Sequence, residues 1–408
     1  MKKFFKDALI IIAITLVMLA LIELALRIFF PQFKHVGHTI TSLAFEYNQD
    51  YLVALKPNIE KVFVRDARDG GGTVSWKTNS LGFRGDEIGE KNALRVIVYG
   101  DSNVHARFSP EPETYPAVLQ QLIGKQIKGV QVINAGMTGS GPDQSLLRLR
   151  EHFVKVRPDV VIFHIYADND YGDIIKNRLF ELSAQGELVK TSFPVTVDSK
   201  LDPVKLAFNN LLNQLYLYGA LNSLLADINV SRESKLSDAE ITEDILNELE
   251  RNATRAYTVY KQGKPREFSH FKDFYDIDIA ANPDSESARL KIALMEKVLL
   301  AAKQFCTEKE VAFMVVVQPS KLDMVADWPE KLVRRYPKYQ PENLTRPLKE
   351  ICVRNHLDCI HLIDSFHPNQ SGSLYIADGH WSAKGQRIAA EETARKILLL
   401  MQSGNHVK

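Results

Sequence analysis

The tract L-R-V-I-V-Y-G-D-S-N, residues 94–103, decides the fold. Residues 94–99 are a short apolar, β-rich run that stops at Gly100, and a serine follows almost at once in a tight turn. Working outward, residues 114–127 read as a helix, with Thr114 a candidate N-cap and Pro116 in its first turn. A second strand at 130–134 and a helix at 144–156 follow, then the nearly continuous apolar run P-D-V-V-I-F-H-I-Y at 158–166. Strands apolar on both faces that alternate with helices imply a parallel sheet covered on both sides. The rhythm lapses over 171–285, where helical stretches are expected at 203–228 and 238–262. It returns as helix 287–304, strand 311–318, helix 347–355, strand 359–363 and a last helix at 382–401. The expected class is therefore α/β: a three-layer α/β/α sandwich with a parallel five-stranded sheet over 94–405, carrying a helical insertion at 171–285.

Upstream, residues 8–22 are an unbroken apolar run with Thr15 its only hydroxyl, and the run continues to Phe30 before Pro31 ends it. As a helix, residues 8–30 would span roughly 34 Å, enough for a hydrocarbon core of about 30 Å. Glu23 and Arg27 interrupt the run four apart, on one helix face, where they neutralise each other. Lys2, Lys3 and Lys6 precede it, which favours a cytoplasmic N-terminus. A cleaved signal peptide is the rival reading, but no small-x-small site follows the run. Residues 1–31 are thus expected to be a cytoplasmic tip and a single transmembrane anchor, with the rest of the chain outside the cytosol. Residues 32–93 read as a linker and small β-rich cover, with strand-like pieces at 51–55, 61–64 and 73–77.

Across 408 residues, apolar residues make up 45% and charged ones 25%, as in a folded globular protein rather than a disordered one. Lys+Arg (51) and Asp+Glu (50) nearly cancel to a net charge of +1, which excludes a bulk basic footprint for nucleic acid. Three cysteines cannot build a disulfide scaffold or a four-cysteine zinc site. Cys352 and Cys359 stand close, either as a disulfide or as two buried thiols.

The first three strands each end in a loop of unusual composition. Ser102, after the first, is held at the carboxyl edge of the sheet, where open α/β sheets bind ligands. After the second comes N-A-G-M-T-G-S-G-P (134–142), whose glycines let backbone N–H groups approach a ligand. The G-x-G-x-x-G and G-x-x-x-x-G-K-[ST] orders of nucleotide loops are both missing. After the third comes A-D-N-D (167–170), where the Asn169 amide can donate to an oxyanion. Asp168, Asp170 and Asp173 imitate the start of a calcium loop, but Leu179 stands where its closing glutamate belongs, so no metal is expected. A nucleophilic serine needs a base, and the base an orienting group. D-G-H-W-S-A-K-G (378–385) offers Asp378 and His380 just before the last helix; D-S-F-H-P-N (364–369) offers Asp364 and His367.

In combination these residues resemble the SGNH/GDSL hydrolase superfamily, whose sandwich is flavodoxin-like. Gly100–Asp101–Ser102 looks like the first block, Gly136 the second, Asn169 the third, and Asp378 with His380 the last. N-S-L-G-F-R-G (79–85) resembles the membrane-anchored bacterial branch, which implies an inner-membrane protein with a periplasmic catalytic domain. Asn103 departs from the usual Leu or Phe, Ala167 from the usual Gly, and D-x-H from the commoner D-x-x-H. That last form is similar to the one in envelope polysaccharide acetyltransferase relatives, and D-G-H-W leads directly into the closing helix, so His380 is preferred to His367. The resemblance implies Ser102 as nucleophile, His380 as base, Asp378 as its orienter, and an oxyanion hole from Ser102, Gly136 and Asn169. No cofactor is implied. The expected partners are an acylated carbohydrate or lipid substrate and, through residues 8–30, the membrane. Expected activity is hydrolysis of O-acyl, foremost acetyl, esters. The alternatives are O-acyl transfer to envelope polysaccharide, or a catalytically silent glycan-binding or scaffold protein. The insertion reads either as a lid or acceptor groove, or as structural decoration.

Overall fold

The computed structural model describes residues 2–30, 44–64, 71–191, 195–197, 211–212, 215–218, 220–221, 243–263, 266–268, 276–320, 322–324, 334–340, 342–366, 371–376 and 379–402. Five parallel strands form the central sheet: β1 (Arg95–Gly100), β2 (Gln131–Gly136), β3 (Val160–Tyr166), β4 (Ala312–Gln318) and β5 (Asp358–His361). Their order is β2-β1-β3-β4-β5. In register, Val96 of β1 lies beside Val160 of β3, which lies beside Ala312 of β4.

Both faces of the sheet are apolar because helices cover both. Val96, Val98, Val160, Ile162, Met314 and Val316 point to one side. There they meet Val118, Leu119 and Ile123 of α3 (Tyr115–Gly124) and Ala389, Ala390 and Ile397 of α8 (Ala383–Gln402). On the other side Tyr99, Phe163 and Phe313 form an edge-to-face series with centroids 5.7 and 5.3 Å apart. Arg148 of α4 (Pro142–Val156) sets its guanidinium over the Tyr99 ring, and Phe153 of α4 meets Phe305 of α6 (Glu286–Glu308) at 5.4 Å. The α/β/α sandwich expected from the strand rhythm is the observed one.

The elements around the sheet fill in what periodicity left open. Residues 46–198 and 245–408 form one compact unit, and residues 1–45 with 199–244 the other. The described residues of the β-rich cover from 46 onward thus belong with the sheet. Trp76, buried, stacks edge-on against His105, and Gln144 Nε2 donates to the Tyr51 carbonyl at 2.7 Å. The region 171–285 opens inside α5 (Asp170–Asn177), buried along its whole length. It also carries the short antiparallel pair Phe180–Leu182 with Leu188–Lys190, the parallel pair Val195–Val197 with Arg266–Phe268, and a helix at Glu243–Lys261. Most of the helix expected at 203–228 lies outside the described residues. Cys352 and Cys359 are bonded, joining α7 (Arg346–Arg354) to β5, with Cα atoms 6.2 Å apart. At the N-terminus, α1 (Lys2–Phe29) is long and apolar enough to cross a membrane.

Strand order creates the site. The chain leaves β1 toward β2 on one side and leaves β3 toward β4 on the other. The two connections diverge, so a crevice opens between the carboxyl ends of β1 and β3. Ser102 follows β1 and Asn169 follows β3, one on each wall.

Candidate active site

Immediately after β1 the chain turns into a one-turn helix, α2 (Ser102–His105). Asp101 caps it: Oδ1 accepts from the Asn103 N–H at 2.9 Å, and Oδ2 accepts from Asn103 Nδ2 at 3.2 Å. Ser102 Oγ lies 3.5 Å from Asp101 Oδ2, the outer limit of a hydrogen bond. As the first residue of α2, Ser102 also carries one of the N–H groups that a helix start leaves without an intrahelical acceptor. Ser102 is partly exposed.

For α2 to sit on the strand ends, two glycines must lack side chains. A Cβ on Gly100 would stand 2.6 Å from Val104 Cγ2, and one on Gly136 would stand 2.2 Å from the His105 nitrogen. Gly136 was expected to offer its N–H to an oxyanion. That N–H instead donates to Asn134 Oδ1 at 3.0 Å, while Asn134 Nδ2 donates to the Val104 carbonyl at 2.9 Å. The second of these bonds fastens β2 to α2, and the first holds the Asn134 amide in place. The residue of this loop in the left-handed region is Gly139, with φ of 72°.

Asn169 is the N-cap of α5 and is 8% exposed. Its Oδ1 is buried without a hydrogen-bond partner among the described residues. That atom is an acceptor; the donor an oxyanion would need is the other amide atom, Nδ2. The three acidic residues around it each have a partner: Asp168 accepts from Ser320 Oγ at 2.7 Å, Asp170 from the Tyr166 N–H at 2.7 Å, and Asp173 pairs with Lys176 at 2.5 Å. Burial, then the charges of Asp101 and Asp173, raise the Asp170 carboxyl well above its usual range.

The segment bearing His380 is drawn to the serine turn through Asn103. The Trp381 N–H donates to Asn103 Oδ1 at 3.1 Å, and Gln386 Nε2 donates to the Asn103 carbonyl at 3.2 Å. Covalent geometry then limits the Cα atoms of Ser102 and His380 to within about 13 Å of each other. Trp381 is buried, its ring edge-on to Tyr115, His164 and Phe366 at 5.9, 4.8 and 6.2 Å. His380, half-buried, tilts over Phe108 at 5.4 Å. Burial pushes the His105 imidazole well below its usual pKa, helped by Arg84, Arg107, Arg148 and His380 in that order. Asp378 and His367 lie outside the described residues. Asp364 is exposed and 3.8 Å from Lys349, a poor place for a group that must orient an imidazole.

Three contributors were not foreseen. Arg84, from the N-S-L-G-F-R-G tract, is buried and donates to the carbonyls of His105, Ala106 and Ser109 and to Glu111. A cation there complements the carboxyl end of α2 and holds the serine turn from behind. His164, on β3, is fully buried 3.7 Å from Asp101, and burial lowers its pKa against the pull of that carboxylate. Asn103, seen in the sequence only as a departure, makes four hydrogen bonds. We expect Asn103→Leu to release the segment bearing His380 from its register on the Ser102 turn; under the ester chemistry proposed below this lowers kcat about 10²-fold with KM little changed. Asn103→Gln, which keeps an amide oxygen for Trp381 without setting a second carboxylate against Asp101, should recover part of the loss. Steady-state kinetics of both variants check this; an equal loss in both with intact folding contradicts it.

No protein-family model matches the chain, and no curated protein matches it in sequence. Solved structures similar to it include an acetylxylan esterase from Geobacillus stearothermophilus, at 13% identity and a TM-score of 0.36, covering 76% of this chain and 95% of that one. A lipase/acylhydrolase from Enterococcus faecalis is 14% identical with a TM-score of 0.33, covering 74% and 95%. The psychrotrophic esterase EstA from a Pseudoalteromonas species is 11% identical with a TM-score of 0.34, covering 76% and 98%.

Proposed function

We propose that this chain is a serine ester hydrolase of the SGNH/GDSL type, anchored in the membrane by α1, with its active site outside the cytosol. The observation that carries the reading is the union at the β1/β3 crevice of a capped, partly exposed serine with the histidine-bearing segment that Asn103 ties to it. Ser102 Oγ attacks the ester carbonyl while His380 takes its proton. The alkoxide departs with that proton, leaving an acyl-serine; Asp378 orients the imidazole and stabilises its charged form. The developing oxyanion is held by the Ser102 N–H and the Asn169 amide, a donor of this kind contributing about 2.7–4 kcal/mol to the barrier. Water then releases the acyl group, or a sugar hydroxyl accepts it.

Position selects the substrate class. A site tethered outside the cytosol meets O-acylated envelope carbohydrate and lipid, with acetyl the leading acyl group. The test is hydrolysis by the full chain in detergent of acetylated mono- and oligosaccharides against p-nitrophenyl esters of increasing acyl length. Release of acetate from the sugars, falling away on longer acyl chains, is the expected result. Turnover confined to long-chain esters contradicts the carbohydrate reading, and no turnover of any ester contradicts the hydrolase.

A further inference from the structure

The anchor helix carries a carboxylate that it does not use alone. Glu23 lies two turns before the end of α1 and accepts from Arg27 Nε at 2.8 Å. It also accepts from two backbone N–H groups of a distant segment, Tyr216 to Oε1 at 3.0 Å and Leu217 to Oε2 at 2.8 Å. Arg27 sets its guanidinium 5.4 Å from the centre of the Tyr216 ring. The described residues of this segment are helical at 211–212, 216–218 and 220–221. It comes from the insertion, yet it belongs to the same compact unit as the anchor.

The composition of the segment suits the place where it docks. No charged residue stands between Lys205 and Asp227, though several Asn residues keep the stretch from being a second span. Leu211, Leu215 and Leu221 face outward, 60%, 37% and 53% exposed. Tyr216 and Tyr218 are among the residues enriched where hydrocarbon meets headgroups. Glu23 sits about 9 Å below the last residue of α1 along the helix axis. A segment bonded to it there is level with the outer acyl chains and headgroups, and its exposed leucines then face lipid rather than water. The carboxylate and guanidinium, costly alone at that depth, are satisfied by each other and by the two donated N–H groups.

We infer that the described residues between Leu211 and Leu221 form a second, in-plane membrane contact, docked on α1 through Glu23 and Arg27, with Leu211, Leu215 and Leu221 in the lipid of the leaflet where α1 emerges. The inference rests on α1 being a membrane anchor, and the experiment separates the two. The full chain is reconstituted in phosphatidylethanolamine–phosphatidylglycerol vesicles containing doxyl-labelled lipid. A nitrobenzoxadiazole probe is placed at Leu211→Cys, Leu221→Cys, Leu16→Cys in the middle of α1, or Val154→Cys on the sheet-bearing unit. The native Cys306 is buried and the other two cysteines are bonded, so labelling is confined to the new site. Positions 211 and 221 are expected to lose most of their fluorescence, as position 16 does, while position 154 is unaffected. Quenching at either 211 or 221 no greater than at 154, with 16 quenched, overturns the inference alone. An unquenched position 16 overturns the anchor and the inference with it.

Discussion

Replacing Ser102 by alanine is expected to reduce hydrolysis of p-nitrophenyl acetate by the full chain at least about a thousandfold, leaving only the residual rate that binding and the remaining donors support. The size of the loss follows from the covalent step. Without Oγ there is no acyl-enzyme, and the remaining donors only polarise the carbonyl. The substitution should leave the fold intact, because the α2 cap is made by Asp101 and Asn103. Losing one long contact to Asp101 removes little stability. Unchanged turnover with native folding would remove Ser102 from the mechanism.

The second large effect is expected at the base. His380→Ala should cost about as much as Ser102→Ala, since the two act as one unit and their losses do not add. His367→Ala should keep most of the activity. Two observations separate the histidines: the residue after His380 is hydrogen-bonded to the residue after Ser102, while the carboxylate that would serve His367 is exposed beside Lys349. Kinetics of the two single variants and of Ser102→Ala/His380→Ala decide the matter. Loss in His367→Ala with activity kept in His380→Ala would transfer the role to His367.

Much of the fold was legible because strands buried on both faces announce themselves as continuous apolar runs. Residues 158–166 and 311–318 became β3 and β4 within two residues at each end. α4 starts two residues before the point the sequence pattern marks: Pro142 occupies the first turn and Gln144 reaches back to the Gly141 N–H, a cap that the apolar periodicity does not show. The short strands between Phe180 and Phe268 were read through because three-residue pairings carry almost no alternation.

The candidate site was legible at the level of residue types at strand ends and illegible at the level of what binds what. Gly136 looked like a ligand-facing glycine; it is glycine because α2 packs on it, which no local pattern reports. Asn103 looked like noise in a motif, and its meaning lies in a hydrogen bond to a residue 278 positions away. Arg84 stood in a noted tract, but its task depends on three carbonyls that only the folded turn of α2 brings together. The link between Glu23 and residues 216–217 is of the same kind. Glu23 was read as the partner of Arg27, and the two backbone donors that share it come from the other end of the unit.

The most direct measurement is covalent capture. The full chain is treated with a fluorophosphonate, digested, and the modified peptide sequenced by mass spectrometry. The account predicts one phosphonylated residue, Ser102, with labelling slowed sharply in His380→Ala and absent in Ser102→Ala. Folded protein that stays unlabelled at Ser102, or carries the adduct on another serine, would contradict it.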